Sequence, residues 1–191
     1  PGAEASDLAA IRAHWRPGLP VAAVVFYRAL WQAANLAPVD ALIAALGARG
    51  LNPLPVFVTS LRDPLAAETI SRIFAEAEVD VILNATGFAV SSPQAARRTT
   101  PFDGADCPVL QVVFSGGTED AWSGGKSGLS PRDLAMNVVL PEIDGRILAR
   151  AVSFKTEARF DPATETALVR YATVPDRINF VAALAGNWAR L

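Results

Sequence analysis

The stretch VDVILNAT, residues 79–86, decides the fold. Its apolar residues run almost without interruption, then give way to Asn84 and Thr86. A strand with one wet face alternates apolar and polar residues, so a near-continuous run points to a strand covered on both faces, as in a parallel sheet. Three further stretches share the pattern: VAAVVFY from Val21, PLPVFV from Pro53 to Val58, and PVLQVVFSG from Pro108. Amphipathic segments lie between them. Val39, Leu42, Ile43 and Leu46 recur at helical spacing, and so do Ile70, Ile73, Phe74 and Ala77. Asp63-Pro64 supplies a cap with proline at the first helical position, and Gly50 stops the earlier helix. The expected fold is an α/β open, mostly parallel sheet of the three-layer, flavodoxin-like or Rossmann-like kind.

The ends read differently. Residues 1–17 are expected to carry an N-terminal helix, over 4–16, with Leu8, Ile11 and Trp15 on one face. Residues 175–191 read as a C-terminal helix with Val181, Leu184, Ala185 and Trp188 inward. Between 147 and 174 the pattern shifts to short alternation broken by Asp161-Pro162, which predicts a β-hairpin or an edge pair. The 191 residues suit a single α/β domain.

Composition excludes several classes of function. The net charge of -2 offers no basic stripe for nucleic acid, and Arg97-Arg98 reads as a solvated loop pair. One cysteine, Cys107, and one histidine, His14, rule out a structural Cys/His zinc site and any intrachain disulfide. That fits a reducing compartment, and a cytoplasmic location is expected. No apolar run approaches the ~18 residues of a spanning helix, so no membrane role is expected. His14 reads as a surface or half-buried helix residue, and Cys107 before Pro108 as an inert thiol.

Motifs narrow the field further. The loop SGGTEDAWSGGKSG, residues 115–128, ends like a P-loop, but the position that should hold the first glycine is Asp120, and Pro131 follows too soon for the required helix. The first strand is followed by YRALWQAANLAP, not by G-x-G-x-x-G. No G-x-S-x-G occurs. What remains is a set of polar residues at strand ends: Asn84, Thr86, Gln111 and Ser115, with Trp122 and the Glu142/Asp144 pair of PEIDG. Two long loops, 86–106 and 115–130, should lie at the carboxyl edge of the sheet, where open α/β sheets bind ligands, and the PEIDG turn is a further candidate for that edge. On residues alone, Asn84 and Ser115 could instead satisfy loop backbone, Trp122 could fill core, and the two carboxylates could be solvated.

The long stretches VVFYRALWQAANLAPVDALIAALGARGLNPLPVFVTSLRDP, DVILNATGFAV, PFDGADCPVLQVV and GLSPRDLAMNVVLPEIDGRI, in this order, resemble the CobN-type large subunit of aerobic cobaltochelatase and the related large subunit of magnesium chelatase. The resemblance implies an internal segment of a much longer subunit, inactive in isolation. It implies an ATP-dependent ligase that inserts Co²⁺, as substrate metal, into hydrogenobyrinic acid a,c-diamide during cobalamin biosynthesis. ATP would be hydrolysed by a partner AAA+ ATPase subunit, alongside a von Willebrand-type subunit, and not bound here. Metal insertion needs a proton acceptor and a transient metal ligand, both of which a carboxylate supplies. The resemblance therefore implies Glu142 as the catalytic residue, Glu142 and Asp144 as metal ligands, and Asn84, Thr86, Ser115 and Trp122 as tetrapyrrole-binding residues. The alternatives are a non-catalytic ligand-binding or scaffolding module, resembling a periplasmic binding protein, and a magnesium-chelatase domain.

Overall fold

A computed structural model describes residues 6–125, 128–156, 159–163 and 166–190. The chain enters through a short helix α1 (Leu8–Arg12), capped where Asp7 accepts from the Ala10 amide at 2.8 Å. Strand β1 (Val21–Tyr27) leads through α2 (Arg28–Gln32) and α3 (Ala37–Ala48) into β2 (Asn52–Val58). Helix α4 (Pro64–Ala77) and β3 (Val79–Asn84) follow, then a long loop with one 3₁₀ turn, Asp103–Ala105. Strand β4 (Val109–Thr118) continues into α5 (Glu119–Ser123). A helix then changes character along its length: α6 (Pro131–Leu134), a π-helical stretch (Ala135–Val139) and α7 (Leu140–Ile143). Strand β5 (Ile147–Lys155), the short strands β6 (Arg159–Asp161), β7 (Thr166–Leu168) and β8 (Tyr171–Thr173), and helix α8 (Pro175–Trp188) complete the chain.

The main sheet has the order β2-β1-β3-β4-β5-β8, with every pair parallel except β5 with β8. Alternation along β1 sends its residues into two cores. Ala22, Val24 and Phe26 meet α3 and α8 through Leu42, Leu46, Val181 and Ala185. Val21, Ala23 and Val25 meet Ile70 and Phe74 of α4, together with Val90 and Phe102 of the long loop. Each fully buried Val or Leu in these layers contributes about 1.5–3 kcal/mol over an exposed one. The layers are helix, sheet, helix, as the four apolar runs predict.

Two expectations need correction. The N-terminal helix is only Leu8–Arg12; residues 4 and 5 lie outside the described residues, and turns follow from Ala13. Leu8, Ile11 and Trp15 do pack together against the α4 core. In α8, Val181 and Ala185 are inward as expected, but Trp188 is 38% exposed. The 147–174 region holds the expected antiparallel pairing: β8 forms an edge strand on β5, and β6 pairs with β7, while β5 also extends the parallel sheet through β4. The alternation read there belongs to the outer strands of the sheet, where cover is thinner. Among the described residues, no helix is long and apolar enough to cross a membrane.

Asp63 caps α4 by accepting from the amides of Leu65 and Ala66, at 2.9 and 3.1 Å. Asp63→Ala should cost about 1 kcal/mol of stability, read as a lower urea midpoint with an unchanged slope.

Candidate functional site

Strand order reverses between β1 and β3, because β1 is followed on one side by β2 and on the other by β3. In open α/β sheets a crevice forms outside the carboxyl ends of the strands at such a reversal. Here the crevice is a cleft of about 660 Å³, walled by Tyr27, Leu30, Phe114, Met136 and Tyr171 and edged by Arg28, Arg132 and Lys155. Burial, ahead of other influences, raises the hydroxyl pKa of both Tyr27 and Tyr171, so both stay protonated at neutral pH.

One side of the cleft is set by the turn after β3. The side chains of Asn84, Thr86 and Gln111 close a buried network: Asn84 Nδ2 donates to Gln111 Oε1 at 2.8 Å and to the Thr86 carbonyl at 2.9 Å. Thr86 Oγ1 donates to Asn84 Oδ1, and Gln111 Nε2 donates to the Thr86 carbonyl, both at 2.9 Å. These groups satisfy one another and hold the turn. Tyr27 Oη donates to the Gly87 carbonyl at 3.1 Å and ties β1 to the same turn.

The turn is also fixed to the helix that follows β4. Leu140 donates its N–H to the Ala135 carbonyl, five residues back. The next bond in that register would come from residue 141, which is proline and has no N–H. The Met136 carbonyl is thus left over, and the Phe88 amide donates to it at 2.7 Å. Phe88 takes a left-handed conformation to do so (φ 62°) and stands 45% exposed beside the cleft. Backbone and helix meet so closely here that a Cβ on Gly87 would lie 2.9 Å from Asn137 Oδ1 and 3.1 Å from the Met136 carbonyl.

The first turn of the helix forms the floor. Ser130 caps it, its hydroxyl accepting from the Asp133 amide at 3.1 Å. The buried Asp133 carboxylate accepts from Ser115 Oγ (2.8 Å), the Gly116 amide (3.0 Å) and Asn137 Nδ2 (3.3 Å). Ser115 in turn accepts from the Gly117 amide at 3.1 Å.

The PEIDG turn is elsewhere. It precedes β5, whose first residue Ile147 pairs with Leu110 near the start of β4, so the turn lies at the amino edge of the sheet. Asp144 is buried there. It accepts from the amides of Val90 (2.7 Å) and Ser91 (3.0 Å), and pairs with the equally buried Arg146 at 2.9 Å. Burial lowers the Arg146 pKa, and Asp144 opposes that shift. The Arg146 guanidinium also rests 5.7 Å from the Phe102 ring centroid. Glu142 is exposed, and among the described residues its carboxylate has no partner. Asp133 and Glu142 sit nine residues apart on one helix, roughly 13 Å along its axis.

Against these positions, a family profile described as CobN/Magnesium Chelatase matches residues 3–191. The chain belongs to the CobN/magnesium chelatase family. It is 51% identical over 172 residues to the aerobic cobaltochelatase subunit CobN of a Sinorhizobium species, which covers 90% of this chain and 14% of the relative. The identity to the subunit of the same name from Pseudomonas aeruginosa is 42% over 180 residues, 94% of this chain and 14% of the relative. The catalytic subunit of cobaltochelatase from Mycobacterium tuberculosis superposes with a TM-score of 0.74 at 32% identity, over 91% of this chain and 15% of that one. The chain therefore spans about a seventh of the length of these relatives.

The residues marked out on the strength of that family separate into three groups. Asn84 and Thr86 are brought together in the turn after β3, and Ser115 stands apart from them against Asp133 at the cleft floor; the side chains of all three are already engaged in hydrogen bonds. Trp122 is not with them: its ring lies 5.0 Å from Phe154 and carries the Arg177 guanidinium at 4.3 Å, in a small core with Val113 and Ala151. The metal role expected of Asp144 meets a carboxylate occupied by two amides and an arginine, which makes it a structural anchor. Glu142 alone of the pair keeps its oxygens free. Among the described residues, no three His, Cys, Asp or Glu side chains converge to hold a metal.

Lys126 and Ser127 of the glycine-rich loop lie outside the described residues. His14 is exposed. Cys107 is half-buried with its pKa pushed up to about 11 by burial, then by Asp80 and Asp106, which keeps the thiol protonated and inert at neutral pH. Arg97 is not a merely solvated charge, since it forms a two-bond pair with Asp103 at 2.7 and 3.1 Å. The cleft residues that sequence reasoning missed are Tyr27, Arg28, Arg132, Asp133, Asn137, Lys155 and Tyr171. Ser130-Pro131-x-Asp133 carried a legible signal, as a helix start directly after a long loop at a strand's carboxyl end.

Gly87→Ala should lose about 1–3 kcal/mol, because neither Met136 backbone nor a bonded Asn137 yields easily to an added methyl. Chemical unfolding reads this directly. Asp144→Asn should cost about 3–5 kcal/mol, since it leaves the buried Arg146 charge without its counter-ion; a drop in thermal midpoint of only a degree would contradict the anchoring role.

Proposed function

We propose that this chain is part of the tetrapyrrole-holding subunit of an aerobic cobaltochelatase, which inserts Co²⁺ into hydrogenobyrinic acid a,c-diamide in cobalamin biosynthesis. The observation that carries the reading is an open cleft at the strand-order reversal of a chain 51% identical to a cobaltochelatase subunit. The names of that relative and of the Pseudomonas one favour cobalt over magnesium as the inserted metal. ATP would be hydrolysed by a partner AAA+ subunit acting with a von Willebrand-type subunit.

In this reading the cleft takes the macrocycle, with Tyr27, Phe114, Met136 and Tyr171 as apolar walls that exclude water. Glu142 acts on the metal. Two roles suit an exposed carboxylate: accepting a macrocycle proton, or ligating Co²⁺ in transit while water leaves its shell. The position of Glu142 at the far end of the helix from the cleft floor favours the second. Carboxylate oxygen binds such an ion without the grip of a thiolate or imidazole set, so the ion is released onward. Asp144 and Gly145 hold the turn that presents it.

In the full-length subunit assembled with its ATPase partners, Glu142→Gln should abolish cobalt insertion at limiting cobalt and leave tetrapyrrole affinity within about twofold. Unchanged turnover across a cobalt titration would remove Glu142 from the mechanism.

A further inference from the structure

We propose that Arg28, Arg132 and Lys155 are the residues through which the carboxyl-edge cleft holds the rim carboxylates of its macrocycle and sets its preference for the free acid, an inference that rests on the cleft being the macrocycle site. The three cations come from three separate elements: the residue after β1, the first turn of α6 and the last residue of β5. None of them forms an ion pair or side-chain hydrogen bond among the described residues. The one carboxylate of the lining, Asp133, is buried and occupied by Ser115, Gly116 and Asn137. The cleft is therefore locally cationic in a chain whose net charge is -2, so the charge there does not follow from a basic composition.

Geometry sets the size of the ligand. Strands β1 and β5 are separated by β3 and β4, so Arg28 and Lys155 rise from strand ends three spacings apart, roughly 14 Å. A single phosphate or amino-acid carboxylate would meet one cation and leave the others unused. A broad, flat molecule carrying several carboxylates at its rim would meet all three, with its apolar face on Tyr27, Phe114, Met136 and Tyr171. Guanidinium groups suit this task because they bind carboxylate with paired N–H donors.

The same cleft is poorly built for phosphate. Phosphate cradles use free backbone amides, usually of glycines. The two glycine amides in the lining are already spent, Gly116 on Asp133 and Gly117 on Ser115. Carboxylate is thus the anion that the remaining donors, all of them side chains, are placed to take.

The test uses the full-length subunit and the absorption change on titration with three probes: a tetrapyrrole with free carboxylates, its methyl ester, and ATP as competitor. The free acid should bind at least tenfold more tightly than the ester, and its affinity should fall steeply with salt. Arg28→Gln, Arg132→Gln and Lys155→Gln should each weaken the acid about five- to tenfold and leave the ester unchanged. All three residues are at the surface or half-buried, and the unaltered ester affinity doubles as a check on folding. Equal binding of acid and ester, or displacement of the acid by equimolar ATP, would overturn the carboxylate assignment while leaving the macrocycle reading standing. A wild-type subunit that binds neither acid nor ester would overturn both.

Discussion

The Met136 carbonyl and the Phe88 amide, 2.7 Å apart, hold the two halves of the cleft together. The bond exists because Pro141 cannot donate to Met136, and the helix around it opens into π geometry. A regular α-helix would have used that carbonyl internally. Instead the turn after β3 is pinned to the crossover helix between β4 and β5, at the sheet's strand-order reversal. Gly87 permits the close approach, Tyr27 adds a second tie from β1, and the Asn84–Thr86–Gln111 network fixes the turn from below.

That one helix links the two places where chemistry is proposed. Its first two turns carry Asp133 and Asn137 into the cleft floor, and its last turn delivers Glu142 into solvent before Asp144 locks onto the loop at Val90 and Ser91. The buried Asp144–Arg146 pair adds little net stability in itself, since desolvation offsets attraction, but it fixes the end of the helix in one place. A carboxylate at the tip of a rigid element is suited to meeting an ion; a cleft walled by aromatic and aliphatic groups is suited to a macrocycle. The proposed division of labour follows from these two environments.

Much of this was legible in the sequence. The four apolar runs and the two amphipathic helices gave the three layers, because double-sided burial leaves a clear mark on Val-, Ile- and Leu-rich segments. The long motifs from Val24 to Ile147 gave the family. The site was less legible. Asn84, Thr86 and Ser115 lie toward the carboxyl edge of the sheet, but their partners lie up to 27 residues away, and no local pattern says that those partners consume their donors. Asp144 and Glu142 look alike in PEIDG, yet one is buried and the other exposed, a difference set by where Arg146 and the Val90 amide happen to lie. The three cations of the cleft are 104 and 23 residues apart along the chain and meet only through the strand order.

The central claim is that the macrocycle sits at the carboxyl edge, away from Glu142. An experimental structure of the full-length subunit with a tetrapyrrole polycarboxylate bound tests it most directly. The account predicts the ring against Tyr27 and Met136, with its carboxylates at Arg28, Arg132 and Lys155. A ring bound at the Glu142 turn, with this cleft empty, would contradict it.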